Sequence, residues 1–388
     1  MERPSVCYVA SNAINNYLEG HNIASVRIIQ AAMSAGIPAK VVTLEERFAQ
    51  SKQNFYPIQA HSRSNRSTSS FPSAWEILAS FPAALTAKKL NCDILHLLNV
   101  TKEIFLFNTK LFGSRNPCIP HFFHSSFPFH MSTTFKTRSL LIKLRFFPHI
   151  LSSNLSLFRF LINEIGLSED SVHLVPYPVD INQFKPADKQ KLREKYSVPE
   201  NTPLVAYVGA IDSDRGFFAL LRAFNKVVKQ IPRAILYISY PPRKQTDDLL
   251  NRFVFNSTIK DHILLNGPNP SIEEVYAMAD VVALPFQKPY WITAPPIVLI
   301  EAMSSAAPIV TTPVDVIEDI GTNMEDMIFV TPGNFDSLAN GIVYFLENEN
   351  EARNMGLRAR ENVIRNFSMQ AVGGKLRETY RKIGVAKF

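Results

Sequence analysis

Residues 206–224, AYVGAIDSDRGFFALLRAF, decide the fold. An apolar run ends at Gly209, a polar turn follows, and a segment with helical spacing opens near Gly216. Strand, tight turn and helix in that order make half of a βαβ unit. Outward from this stretch the pattern repeats. Starting at Leu204, the runs LVAYVGA, AILYISY, HILLNG, VVALPF, APIVTT and DMIFVT are separated by helical segments such as 217–230 and 272–278. Upstream, runs ending near Ala10, Thr43, Asn99, His124, Ser153 and Val175 alternate with helical segments at 23–35, 74–89 and 155–165. The fold class expected is α/β, with two Rossmann-like doubly wound domains and ligands bound beyond the carboxyl ends of the strands. The turn-rich PYPVDINQFKP, ending at Pro186, reads as the domain boundary. It divides the chain into 1–186, 187–368 and a closing helical segment, 369–388, that packs back toward the N-terminal domain. The polar stretch 50–73 reads as a loop.

Composition narrows the function. With 388 residues, 46% hydrophobic and 19% charged, the chain has full cores, which excludes long disorder and fibrous repeats. Its three cysteines (Cys7, Cys92, Cys118) are far apart and never in a CxxC spacing, so neither a disulfide framework nor a structural zinc site is expected. A reducing, cytosolic setting, no metal and no cofactor are the corresponding expectations. No signal peptide is evident in MERPSVCYVASN, and no apolar run reaches the roughly 18 residues of a membrane span.

The net charge of +7 is unevenly placed. Residues 1–186 hold 18 Lys+Arg against 11 Asp+Glu, and the remainder holds 23 of each. Between Ile104 and Asn163 there are seven basic residues, no acid and twelve phenylalanines. Basic residues interleaved with aromatics suit an anionic, partly apolar partner, either single-stranded nucleic acid or an anionic membrane surface. An ordinary Phe-rich core under a solvated basic face has the same composition. In FKTRSLLIKLRFF, 135–147, basic and apolar residues alternate in small groups as on an interfacial helix. Lys136, Arg138, Lys143 and Arg145 are therefore the expected membrane contacts, and the absence of any nucleic-acid-binding motif disfavours the other partner.

Two residues carry chemistry. Arg215 stands where the helix after Gly209 opens; a guanidinium beside free helix N–H groups suits a phosphate, although an exposed turn arginine looks the same. Glu301 lies in YWITAPPIVLIEAMSSAAPIVTT, 290–312, inside a helix whose first turn is expected at the PP pair. A carboxylate among Leu299, Ile300, Ala302 and Met303 is costly to bury unless it is paired, and it suits the vicinal hydroxyls of a ribose.

On these motifs the second half resembles the donor domain of family 4 glycosyltransferases of the GT-B fold, whose usual patterns are G-R-x-x-x-x-K-G and E-G-F-G-x-x-x-x-E-A-M-A-x-G-x-P-V. MADVVALPF and ARENVIRNFSMQAVGGKLRETYRKI extend the resemblance. YLEGHNIASVRIIQAAMSAG, CDILHLLN, PCIPHFFHSS and VHLVPYPVDINQF carry it through the first half in order. The resemblance implies two domains facing across a cleft, the first holding an acceptor and the second a nucleotide-sugar donor, UDP- or GDP-linked. It implies that Glu301 holds the ribose and that Arg215 meets the diphosphate. Thr293, Ile297 and Gly209 complete the donor site, Gly20 marks a phosphate or acceptor loop, and His124 is the catalytic position. Retention of configuration without a metal is implied as well.

The departures matter equally. Ala210 replaces the arginine of the GR pair, Thr293 the first Glu, and Ala294, Pro295 and Pro296 the G-F-G. The prolines remove two N–H groups from the expected helix start. Fourteen glycines, about half the usual frequency, fit the loss of several from the resembled motifs, Ala306 among them. The leading expectation is a glycosyltransferase acting on a lipid-linked or glycolipid acceptor, bound peripherally to the inner face of a membrane. A non-catalytic GT-B-like scaffold with a degenerate donor site is the alternative.

Overall fold

The computed structural model describes residues 5–10, 20–43, 55–57, 89–90, 92–98, 117–123, 144, 147–199, 201–241, 246–267, 271–288 and 295–384. The chain divides into two compact units, Met1–Pro178 with Met369–Phe388, and Val179–Ser368. Each is built on one parallel sheet, as the alternation of short apolar runs and helical segments requires.

In the first unit the strands are β1 (Val6–Ala10), β2 (Ala39–Thr43), β3 (Phe55–Pro57), β4 (Ile94–Leu98), β5 (Cys118–Phe122), β6 (Ile150–Ser152) and β7 (Val172–Leu174). They pair in the order β3-β2-β1-β4-β5-β6-β7. The strand β3 falls inside the stretch expected to be loop: Phe55, Tyr56 and Pro57 pair with Val41, Val42 and Thr43. At the sheet edge a proline costs no ladder bond, which is why this polar stretch can still add a strand. Helix α1 (Gly20–Ser34) follows β1. Helix α2 (Leu155–Asn163) follows β6 and is capped by Asn154, whose side chain accepts the Leu157 N–H at 2.8 Å. Of the 135–147 stretch, Leu144 and Phe147 are described. Both are buried with Leu97, Phe122, Ile150 and Leu157, so these two side chains are core and not a membrane-facing surface. Of the helical segment expected at 74–89, only Lys89 is described, and it is helical.

In the second unit, helix α3 (Lys189–Lys195) leads into β8 (Leu204–Val208). Then follow α4 (Phe217–Gln230), β9 (Ile235–Ser239), α5 (Thr246–Leu250), β10 (Ile263–Asn266), α6 (Ile272–Met278), β11 (Val281–Leu284) and α7 (Ile297–Ser304). The chain continues through β12 (Ile309–Thr311), β13 (Ile328–Phe329), α8 (Phe335–Glu347) and α9 (Glu349–Phe367). The strand order is β10-β9-β8-β11-β12-β13. Helix α4 buries Phe217, Leu220, Leu221, Phe224 and Val227, an i, i+3, i+4, i+7 stripe laid on the sheet.

The division between units falls after Pro178 rather than at Pro186. The Val179 N–H donates to Phe367 O at 2.8 Å, Phe184 is buried, and the hydroxyl of Ser304 and the guanidinium of Arg360 both donate to Phe184 O. The proline-rich turn thus packs on the second unit. The last helix, α10 (Met369–Lys382), belongs to the first unit and lies along α1. Gly373 permits the approach, since a Cβ there would stand 2.6 Å from the Ala31 carbonyl oxygen.

A buried hydrogen-bond chain fastens α10 to the sheet. Tyr8, His96 and His121 share one sheet face by strict alternation, opposite Cys7, Val9, Leu95, Leu97 and Phe122. Tyr8 Oη and Tyr380 Oη are 2.9 Å apart, Tyr380 Oη and His96 Nδ1 2.7 Å, His96 Nε2 and His121 Nδ1 3.1 Å, and His121 Nε2 and Val175 O 2.8 Å. The carbonyl can only accept, so His121 donates from Nε2 and accepts at Nδ1 from His96. His96 then accepts at Nδ1 from Tyr380, and Tyr8 donates to Tyr380. Every link runs one way, and both imidazoles are neutral.

Burial holds the His96 pKa well below its usual value and pushes that of His121 down to about 3. The unfolded chain, with histidines near 6.5, binds more protons than the folded unit below that pH, so stability is full above about 6.5 and falls with acidification. By pH 5 His121 alone is expected to cost about 2 kcal/mol, at ~1.36 kcal/mol per unit, and His96 acts in the same direction. Urea unfolding at pH 7 and pH 5 should show a clear drop in the midpoint of the N-terminal unit.

Candidate active site

In a doubly wound sheet, the place where the strand order reverses leaves room beyond the strand ends. In the second unit that point lies between β8 and β11, and two turns meet there. After β8, the Gly209 N–H donates to Ser239 O at 3.0 Å, and Ala210 is buried with its carbonyl taking the Tyr207 hydroxyl at 2.6 Å. The turn then folds on itself through Asp212 N–H to Ala210 O and Gly216 N–H to Ser213 O. After β11, the Gln287 N–H donates to Asp214 O at 2.8 Å and Lys288 Nζ stands 3.2 Å from Asp214 Oδ1. Gly216 is the hinge of this contact. It is left-handed, φ 77°, and a Cβ there would lie 1.8 Å from Pro285 O. Only glycine fits.

Arg215 is seated in this turn. Its N–H donates to Asp212 Oδ1 at 2.8 Å and its Nη1 to Asp212 Oδ2 at 2.6 Å, so one carboxylate holds both ends of the residue. The side chain is partly exposed, and the residue immediately precedes Gly216, the N-cap of α4. The two acids and the two cations of this corner, Asp212, Asp214, Arg215 and Lys288, balance each other.

Helix α7 begins at Ile297, with Pro296 as its N-cap residue and Pro295 before it. The prolines therefore precede the helix instead of forming its first turn, and the helix keeps its own opening amides at Ile297 and Val298. The reason is stereochemical: proline suits the extended conformation of the cap, φ −61° and ψ 125° at Pro296. Nearly all of α7 is buried, Glu301 included at 1% exposure. The Tyr276 hydroxyl, on α6, donates to Glu301 Oε2 at 3.4 Å. At the other end, Ala307 N–H reaches Ala302 O and Ala306 N–H reaches Met303 O, a Schellman closure that puts Ala306 at φ 55°.

The structure brings Gly209, Arg215, Ile297 and Glu301 into the second unit, the first two on the turn after β8 and the last two on α7. Gly20 opens α1 in the first unit. His124, Thr293, Lys136, Arg138, Lys143 and Arg145 lie outside the described residues. Three contributors escaped the sequence reading. Asp212 and Asp214 lie in what the sequence shows only as a polar turn, and Tyr276 sits 25 positions from Glu301 on another helix. Among the described residues there is no cluster of three or more metal-ligating side chains, and no helix is long and apolar enough to cross a membrane.

Residues 188–362 match the family model described as glycosyl transferases group 1. They are a glycosyl transferases group 1 domain. The chain is 24% identical over 202 residues to N-acetyl-alpha-D-glucosaminyl L-malate synthase of Bacillus anthracis, covering 52% of this chain and 51% of that one. It is 25% identical over 230 residues to D-inositol 3-phosphate glycosyltransferase of Nocardia farcinica, covering 57% and 50%. The match thus spans about half the length of these relatives. Among solved structures, a glycosyltransferase from Rickettsia africae superposes with a TM-score of 0.77 at 17% identity, over 99% of both chains. Anabaena HepE in complex with UDP does so with 0.78 at 16%, over 97% of this chain and 99% of the other. The two-domain α/β fold is that of GT-B glycosyltransferases.

Two substitutions test this glycosyl transferases group 1 domain with opposite signs. Gly216→Ala should destabilise it by more than ~2 kcal/mol, through the clash with Pro285 and the left-handed backbone. Ala306→Gly should stabilise it by about 0.5–1 kcal/mol, because relief of the left-handed penalty exceeds the added entropy of the unfolded chain. Denaturant titration of the two variants reads both effects.

Proposed function

We propose that the protein is a glycosyltransferase that moves a sugar from a UDP- or GDP-linked donor to an acceptor, with retention of configuration and without a metal. The observation that carries this reading is the turn at the switch point of the second sheet. There Gly216 brings the backbone against Pro285, and Arg215, held by Asp212, immediately precedes the N-cap of α4. Such a corner stabilises negative charge growing on a leaving diphosphate, the electrostatic contribution that dominates many group transfers. In this reading Glu301 accepts from the ribose hydroxyls, while Gly209, Thr293 and Ile297 line the donor. Gly20 serves the acceptor or phosphate side and His124 stands at the reacting centre. The solved HepE structures with UDP and with UDP-glucose support a nucleotide-sugar donor. Titration calorimetry with UDP and GDP tests it: one of them should bind, and Arg215→Ala should weaken that binding by roughly 10- to 100-fold, about 1.5–3 kcal/mol for a charged hydrogen bond.

The proposal extends to the acceptor. The basic, phenylalanine-rich segment of the N-terminal unit favours a lipid-linked or glycolipid acceptor and a peripheral position on the inner face of a membrane. Pelleting with anionic liposomes should fall when Lys136, Arg138, Lys143 and Arg145 are changed to Glu, and unchanged pelleting would remove this part of the reading.

One observation favours a non-catalytic scaffold instead. Ala210 stands where the resembled motif has arginine, and both remaining cations of the corner are paired with Asp212 and Asp214. Absence of binding to either nucleotide would favour the scaffold.

A further inference from the structure

The loop after β11 brings a second cation, Lys288, to the corner that holds Arg215. The three residues before it are fixed. The Pro285 carbonyl lies against Gly216 and accepts from the Gln287 side chain at 2.7 Å, the Phe286 carbonyl takes the Thr312 hydroxyl at 2.6 Å, and the Gln287 N–H donates to Asp214 O at 2.8 Å. Lys288 therefore leaves the loop at a set place. Its Nζ stands 3.2 Å from Asp214 Oδ1, and Asp214 immediately precedes Arg215 on the turn after β8. The side chains of Lys288 and Arg215 are 48% and 30% exposed, so both present surface to solvent and to a ligand arriving from it. Where the resembled motif carries an arginine, this chain has Ala210, which is 3% exposed and brings no charge.

We propose that Lys288 is a second diphosphate-binding residue, supplying from the loop after β11 the positive charge that Ala210 does not supply from the turn after β8. An ammonium acts as a point charge over several ångströms, so a phosphate draws on it without displacing a hydrogen-bond partner. Asp214 reduces that pull without abolishing it. An ion pair half in water is worth little, whereas a diphosphate brings more than one negative charge to the same ammonium. The inference rests on the reading of this corner as the diphosphate site of a nucleotide-linked donor. It goes beyond that reading in assigning a residue that lies in neither of the two resembled motifs.

The test measures UDP and GDP against uridine and guanosine by direct and competition calorimetry, on the whole chain as wild type, Lys288→Gln and Lys288→Arg. The wild type should bind one diphosphate more tightly than its nucleoside. Lys288→Gln should weaken that diphosphate roughly three- to tenfold, the worth of one partly exposed contact, and leave the nucleoside unchanged. Lys288→Arg, which keeps the charge, should retain most of the affinity. The deficit of Lys288→Gln should also shrink in about 1 M salt, where charges are screened within ~3 Å. Unchanged nucleoside binding separates a lost charge from a disturbed loop, which would weaken both ligands. If the wild type prefers the diphosphate and Lys288→Gln keeps that preference in full, or if Lys288→Arg loses as much as Lys288→Gln, the role of Lys288 is overturned and the diphosphate reading stands. If the wild type binds neither nucleotide, or binds nucleoside and diphosphate alike, the diphosphate reading falls and the inference falls with it.

Discussion

The C-terminal unit depends on a contact that leaves no room for a side chain. At Gly216 the turn after β8 comes so close to the carbonyl of Pro285 that a methyl group could not be accommodated, and the backbone there is left-handed. This contact joins the two strands at which the sheet order reverses, and other features of the corner hang from it. Gln287 reaches Asp214, Lys288 pairs with Asp214, and Arg215 is held one residue before the helix opens.

Charge in this corner is balanced more tightly than the resembled motif leads one to expect. One arginine is replaced by a buried alanine, and the other cation is held by an acid three residues before it. On the function proposed above, a diphosphate would meet a guanidinium already oriented but partly neutralised. Orientation lowers the cost of ordering on binding, whereas neutralisation lowers the Coulombic gain. Glu301 is handled in the complementary way, buried at full depth and served by a hydroxyl from a neighbouring helix.

The N-terminal unit has its own organising constraint, the one-way chain from Tyr8 to Val175. Its first link joins residues 372 positions apart, so this unit cannot be completed until the end of the chain has been made. Four neutral side chains with good geometry make α10 part of the N-terminal core, and a polar network so buried is stabilising only when every member is satisfied.

Much of this was legible from the sequence. The alternation of apolar runs with helical spacing determined two parallel α/β sheets, because strands buried on both faces must be short and continuously apolar. Local chemistry determined the strand-turn-helix at 206–224 and the helix around Glu301, and motif spacing singled out Arg215 and Glu301 themselves. Only the tertiary structure decided which groups those residues meet. That Asp212 captures Arg215, that Tyr276 serves Glu301, that the prolines precede α7, that Ala306 takes the left-handed place of a glycine, and that Tyr8 and His96 bind Tyr380 of α10 all follow from distances in space. Periodicity reports which face of an element is buried; it carries no information about which polar group on another element will be waiting there.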